Sequence, residues 1–202
     1  MPDWDEDSPR LRQNLTRILE EIAERAEARN TPTVETARRW QRLFMQGLDA
    51  NPRYVGAFRG EAGLENIAAK IGDDYGAHPS KVAEELKRFE EVLQTVVAQL
   101  DEVLPVGKEP DADALAAVLD LCAWAHAEWV RIHPFANGSG RTARLWANFL
   151  AMRYGIPPFV RLRPRPDAGY EDAGIKAMQG DWKPTAAAFW RMLNRFLEEF
   201  RE

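Results

Sequence analysis

The chain has 202 residues, 45% of them hydrophobic, which is enough to bury one substantial core and little more. Its formal net charge of −5 excludes a general nucleic-acid binder, which needs a basic face, and its single cysteine, Cys122, excludes an intrachain disulfide or a multi-cysteine zinc site. No apolar run reaches membrane-spanning length, and the acidic opening residues suit a signal peptide poorly; the expectation is a soluble, cytoplasmic protein with neither membrane nor nucleic acid as partner.

Helical periodicity dominates from the start of the chain. Leu11, Leu15, Ile18, Leu19, Ile22 and Ala23 recur at steps of three and four with charges between them, predicting an amphipathic helix. After a break at Asn30, Thr31 and Pro32, a second helix is expected over 33–45. The one stretch that invites a strand is Asn66, Ile67, Ala68, Ala69, Lys70, Ile71 and Gly72, equally readable as a helix-connecting loop. A third helix over 81–104 places Val82, Leu86, Phe89, Val92, Leu93 and Val96 on one stripe. A fourth over 112–131 carries Cys122 among apolar neighbours, where packing is a better role for it than nucleophilic chemistry. The run from Leu145 to Tyr154 reads as helix, stopped by Gly155, Pro157 and Pro158; a further break over 179–184 precedes a terminal helix over 185–200. The predicted class is mostly α, with no internal repeat and no low-complexity linker. Seven tryptophans, Trp146 and Trp182 among them, leave room for an aromatic interface; the oligomeric state stays open.

The chemistry concentrates in His133-Pro134-Phe135-Ala136-Asn137-Gly138-Ser139-Gly140-Arg141-Thr142-Ala143-Arg144. Backbone N–H groups around Gly138, Ser139 and Gly140 open a helix, where they are unpaired within it and favour a phosphate. Arg141 and Arg144, three residues apart, can reach the same side of that helix start and suit bidentate phosphate contacts. Two cations at a helix N-terminus oppose its dipole by about 0.3–1 kcal/mol each, a conflict that a bound anion relieves. An imidazole with a pKa near ~6.5 accepts a proton at cellular pH, which makes His133 the candidate general base at the lip of this cradle. His126, on an apolar helical face, is expected to be a satisfied interior histidine, and His78, beside Pro79, a surface residue. A Gly-x-Gly-x-x-Ala match over 138–143 lacks the βαβ context of a dinucleotide site, the spacing is too short for a Walker loop, and no Gly-x-Ser-x-Gly hydrolase elbow is present.

This run resembles the signature of the Fic family, His-Pro-Phe-x-(Asp/Glu)-Gly-Asn-Gly-Arg-x-x-Arg, at His133, Pro134, Phe135, Gly138, Gly140, Arg141 and Arg144. It departs at Asn137, where the family carries an acid, and at Ser139, where it carries an asparagine. Val55-Gly56-Ala57-Phe58-Arg59 is similar to the family's Gly-x-(Tyr/Phe)-Arg element, Ala125-His126 to the helix feeding the motif, and Tyr170 with Gly180-Asp181 to its closing segment. The resemblance implies a Fic-type helical bundle with one small β-hairpin flap: an N-terminal helix (1–32) packed on the core, a Fic (Fido) domain over 33–196 and a tail over 197–202.

The resemblance also implies an activity. Most Fic enzymes move AMP from ATP to a hydroxyl of a target protein. By this likeness His133 and Arg144 are catalytic, Asn137, Gly138, Ser139, Gly140, Arg141 and Arg144 hold the nucleotide, and Arg144 orients the α-phosphate. Residues 66–72 form the flap that pairs with the backbone of the target protein, a mode of strand addition. The family acid ligates Mg²⁺, so the likeness implies this cofactor with Asn137 as a weak ligand, a neutral amide being a poorer partner for a hard cation than a carboxylate. Two alternatives stay open: a non-catalytic nucleotide- or peptide-binding module, and a Doc-type protein kinase toxin, against which Gly138 and Gly140 speak. The inhibitory pattern (Ser/Thr)-x-x-x-Glu-(Gly/Asn) is met only in part, by Thr16 with Glu20 and by Ser80 with Glu84; control by a separate inhibitory protein, or none, is expected instead.

Overall fold

The structure, a computed structural model, describes residues 8–166 and 169–199. Expectations for residues 1–7 and 200–202 lie outside the described residues. In chain order the elements are α1 (Pro9–Glu27), α2 (Val34–Met45), a hairpin of β1 (Lys70–Ile71) and β2 (Asp74–Tyr75), α3 (Val82–Val103), α4 (Ala112–Ile132), α5 (Ser139–Arg153), α6 (Tyr170–Met178) and α7 (Lys183–Glu199). Short 3₁₀ turns at Pro52–Tyr54 and Pro79–Lys81 interrupt the connection between α2 and α3.

Helix α4 is the axis of the molecule. Asp111 starts it, its Oδ1 accepting the Ala114 N–H at 2.9 Å. Val118, Leu119, Leu121, Cys122, Ala123, Ala125, Ala127, Trp129 and Val130 are buried, so the helix is apolar on nearly every side and has neighbours all round. Those neighbours are α3, α5, α6 and α7. Helix α1 buries Leu11, Leu15, Ile18 and Ile22 against α5 and α2, within the same core.

An aromatic layer fills the space beneath the loop that joins α4 to α5. Trp146 sits 4.9 Å from Trp40, 5.8 Å from Phe89 and 5.9 Å from Trp129, ring centre to ring centre, mostly edge to face. Such pairs add about 0.5–1.5 kcal/mol each beyond burial. Trp146 is therefore a core residue and not part of an aromatic interface, while Trp182 is half-buried.

At the far end of α5 a second set of contacts pins three helices. Asp101 of α3 accepts from Arg153 Nη2 at 2.5 Å, from Arg29 Nη1 at 2.8 Å and from the Tyr154 hydroxyl at 3.1 Å. Arg153 also donates to the Asn30 carbonyl at 2.9 Å, which ties in the end of α1.

Three expectations change. The stripe on α3 runs through Val82, Leu86, Phe89, Leu93, Val97 and Leu100, leaving Val92 exposed and Val96 half-buried, because these six residues make the face that meets the core. Residues 170–178 form a helix that the pattern did not predict. The hairpin is shifted: of residues 66–72 only Lys70 and Ile71 are in a strand, and the partner strand is Asp74–Tyr75, with Lys70 opposite Tyr75 and Ile71 opposite Asp74. Asn66 lies in a turn and Ile67, Ala68 and Ala69 lead into the strand.

Candidate active site

The site is built on the left-handed turn that ends α4. His133 takes φ 51° and ψ 59°, and its N–H still bonds to Trp129 O at 3.0 Å. This conformation reverses the chain, and neighbouring groups hold it. Phe135 is fully buried, 4.8 Å from Phe58 and 6.1 Å from Trp129, and forms a single antiparallel bridge with Phe58. The Arg59 amide donates to Pro134 O at 2.7 Å. Gly138, at φ 93°, caps α5, and a Cβ there would collide with the Phe44 ring. Trp129 Nε1 donates to Thr142 Oγ1 at 2.7 Å, joining α4 to α5 directly beneath the loop.

Ser139 does not face the cradle with its side chain. Its hydroxyl accepts the Phe135 N–H at 3.0 Å and donates to Phe135 O at 3.2 Å, and the residue is buried. What remains for a phosphate is backbone: the N–H groups of Ser139 and Gly140 open α5 and have no acceptor inside it.

The two arginines diverge. Arg141 lies over the Phe44 ring at 4.5 Å and donates to Asn137 Oδ1 at 3.1 Å. Arg144 turns the other way, with Nη1 at 3.4 Å from the Tyr170 hydroxyl and Nη2 at 3.3 Å from Leu162 O. Both bonds are long, and Arg144 Nε is buried with no hydrogen-bond partner among the described residues. A Cβ built on Gly140 would lie 3.7 Å from Arg144 Nη1, so this under-satisfied cation is beside the start of α5. Tyr170 in turn bonds to His126 Nε2 at 2.6 Å. Burial, and then the Arg144 charge, push the His126 pKa down to about 3, so its imidazole is neutral.

Burial and the charge of Arg59 lower the His133 pKa to about 4, with a smaller opposing pull from the Val130 carbonyl. The ring is therefore unprotonated at neutral pH. Its Nδ1 is buried, which leaves Nε2 as the nitrogen open to a substrate. Burial pushes the Cys122 thiol well above its ordinary range, which removes it as a nucleophile.

A divalent cation finds no built site. Asn137 Oδ1 is occupied by Arg141, and among the described residues no group of three or more His, Cys, Asp or Glu is arranged to hold a metal.

The flap reaches both ends of the site. A Cβ on Gly76 would come within 2.7 Å of His133 Cβ, so the stem after β2 lies directly against the histidine. Gln179 Nε2 meets Asp74 Oδ2 at 3.4 Å, linking the end of α6 to the hairpin. His78 is exposed, with Nδ1 near the Ser80 hydroxyl at 2.9 Å. Glu20 and Glu84 are exposed and neither contacts Arg144; Glu84 pairs with Lys81 at 2.9 Å.

The family model described as Fic/DOC family matches residues 31–151, more than half of the chain. The chain belongs to the Fic/DOC family. This Fic protein is 36% identical over 83 residues to the protein adenylyltransferase Fic of Nematostella vectensis, a match covering 41% of the chain and 19% of that relative. With the Fic adenylyltransferase of Aedes aegypti it shares 42% identity over 62 residues, 31% of the chain and 12% of the relative. The chain thus spans a fifth or less of the curated relatives it matches. Among solved structures, the BepC effector protein of Bartonella tribocorum with bound AMPPNP superimposes with a TM-score of 0.61 at 18% identity, over 92% of the chain and 87% of that protein. Fic-1 of C. elegans gives 0.56 at 22% identity, over 98% of the chain and 55% of that protein. These two similarities are similarities of fold.

Two site residues of this Fic protein escape a reading of sequence. Gln41, fully buried on α2, donates to Asn137 O at 3.2 Å and Tyr54 O at 3.0 Å and accepts the Gly56 N–H, fixing the loop from behind. A glutamine flanked by Trp40 on the apolar face of a helix was the available signal. Tyr170 stood out only as part of a closing segment; its bridge between His126 and Arg144 depends on α6, which was not foreseen.

Proposed function

We propose that the chain is a protein adenylyltransferase that moves AMP from ATP to a Tyr, Thr or Ser hydroxyl of a target protein. The observation that carries this reading is the buried, under-satisfied Arg144 guanidinium beside the open N–H groups of α5. It calls for an anion, and the chain's adenylyltransferase-named relatives make a nucleotide phosphate the fitting one.

In this reading the ATP phosphates lie on the N–H groups around Ser139 and Gly140, with Arg144 and Arg141 as cationic grips. Asn137 bounds the cradle through Arg141, and Gly138 shapes its backbone. The target segment pairs with the hairpin between Ala69 and Gly76 and brings its hydroxyl to His133. His133 Nε2 accepts the hydroxyl proton while the oxygen forms a bond to the α-phosphorus. The bond from that phosphorus to the bridging oxygen breaks, and pyrophosphate leaves. Charge building on the phosphates meets donors already in place, where most of the acceleration of phosphoryl chemistry arises. The work belongs in the cytoplasm, where ATP is abundant, and control falls to a separate inhibitory protein or is absent.

One observation favours a second reading, a nucleotide- or peptide-binding module without turnover: the Asn137 amide is occupied by Arg141 and the Ser139 hydroxyl by Phe135. Incubation with α-phosphate-labelled ATP and lysate, beside His133→Ala, decides between them. Label on proteins that falls by at least about 10²-fold in the variant, with ATP affinity kept, is the expected result. Bound ATP with no label transferred sinks the enzyme reading, and label from the γ-phosphate alone indicates a Doc-type kinase.

A further inference from the structure

We propose that Arg59 is a positioning residue that locks the flap and the His133 backbone into one mechanical unit. The proposal rests on His133 as the base and the hairpin as the dock, and adds the part that couples them. The Arg59 side chain spends its donors on main-chain carbonyls from two places. Nε donates to His133 O at 2.6 Å and Nη2 to Ile132 O at 2.9 Å, at the end of α4. Nη2 also donates to Ala77 O at 2.8 Å and Nη1 to Ile67 O at 3.1 Å, one carbonyl on each stem of the flap.

A residue only 1% exposed and bonded to no carboxylate among the described residues is a costly place for a charge. The C-terminal carbonyls of α4 carry that helix's negative end, which offsets the cost. The planar fork of arginine reaches four carbonyls at fixed angles; a lysine ammonium cannot.

Other contacts make the linkage tight. The Ala77 N–H donates to Ile132 O at 3.2 Å, the Gly76 N–H closes the hairpin onto Ala69 O at 3.0 Å, and the Arg59 amide holds Pro134 O. At Gly76 there is no room for a side chain: a Cβ would sit 2.7 Å from His133 Cβ and 3.0 Å from Arg59 Nη2. A strand added to the hairpin and the histidine at the end of α4 therefore share one set of bonds. A docked target steadies the stems, and through Arg59 the stems steady the left-handed turn that aims the imidazole.

The test is amide hydrogen exchange and histidine-ring titration by NMR on the intact chain, Arg59→Lys and Arg59→Met. In both variants the Gly76 and Ala77 amides exchange at least about tenfold faster, while the α4 amides of Leu119 and Cys122 keep their wild-type rates. The His133 titration moves upward in Arg59→Met and much less in Arg59→Lys, which keeps the charge but loses the fork. Wild-type exchange of the flap amides in both variants overturns the proposal. So does acceleration of the α4 amides in step with the flap, which would make Arg59 a support of the whole fold. Where Arg59→Met does not fold, the lysine variant decides alone. A wild-type protein without AMP transfer would sink the adenylyltransferase reading and leave these two measurements intact; with transfer, Arg59→Lys lowers kcat while KM for ATP holds.

Discussion

His126 and His133 are seven residues apart, and both are held neutral, the first at about 3 and the second at about 4. In the unfolded chain each binds its proton near ~6.5, so below that pH the unfolded state holds more protons than the folded one. Stability from this source is complete above ~6.5 and is lost as the pH falls toward the folded values, at about 1.4 kcal/mol per pH unit for each histidine. Thermal melts at pH 7 and pH 5 should show a drop that His126→Gln reduces; an equal drop in that variant would place the acid sensitivity elsewhere. For His133 the same shift has a kinetic side. The acid limb of kcat/KM should lie below pH 5, leaving a flat profile from pH 6 to 8 on that limb. A limb centred near 6.5 would mean a solvated imidazole. Asn137→Asp sets a carboxylate against Arg141 and should make ATP affinity depend on Mg²⁺, as read by titration calorimetry with and without the ion; unchanged affinity in both conditions would show that the metal is indifferent to this position. At this scale residue type alone singles out His133 and Arg144 as candidates, because an imidazole and a guanidinium carry recognisable chemistry. It leaves the Ser139 hydroxyl undecided, because a hydroxyl at the first position of a helix can serve a ligand or its own loop, and the fold turns it onto Phe135.

Among the elements, α4 and α5 were legible because their apolar content and their stop signals at Gly155 and Pro157 agree. Helix α6 was not, since nine residues starting after a glycine present barely two turns of pattern, and its burial comes from packing on α4 and α7. The second flap strand was hidden for a related reason: Asp74 and Tyr75 have no alternation to show, and pairing with Lys70 and Ile71 defines them. The junction between α4 and α5 depends on Gly138, where a positive φ and the Phe44 ring leave no room for a Cβ. Gly138→Ala should cost about 2–4 kcal/mol, combining the left-handed penalty with overpacking, measured by urea denaturation. Phe44→Leu in the same chain should recover only the packing share. Full recovery would show that the backbone angle is not under strain.

On the scale of the whole molecule, the aromatic layer holds the middle of α5 at Trp146 and the Asp101 contacts hold its C-terminal end. Asp101→Asn keeps the shape of the side chain and removes its charge, leaving Arg153 buried with weaker acceptors; a loss of about 2–3 kcal/mol is expected, because the carboxylate itself is partly solvated. Melting temperature reads it directly, and an unchanged value would mean that the Asn30 carbonyl suffices for Arg153. The general architecture was legible because 3.6-residue periodicity marks α1, α2, α3 and α7, while continuous apolar content marks α4. Which ends meet was not, since Asp101, Arg29 and Arg153 are spread over more than a hundred residues of chain.

The loop from His133 to Gly138 is gripped from behind, by Arg59, Gln41, Phe58, Trp129 and the inward hydroxyl of Ser139. The His133 imidazole bears no share of that grip. A chain stripped of its imidazole by His133→Ala should therefore present an undamaged landing surface to whatever protein it recognises, and, once immobilised with ATP, serve as bait that holds its quarry without releasing it as product.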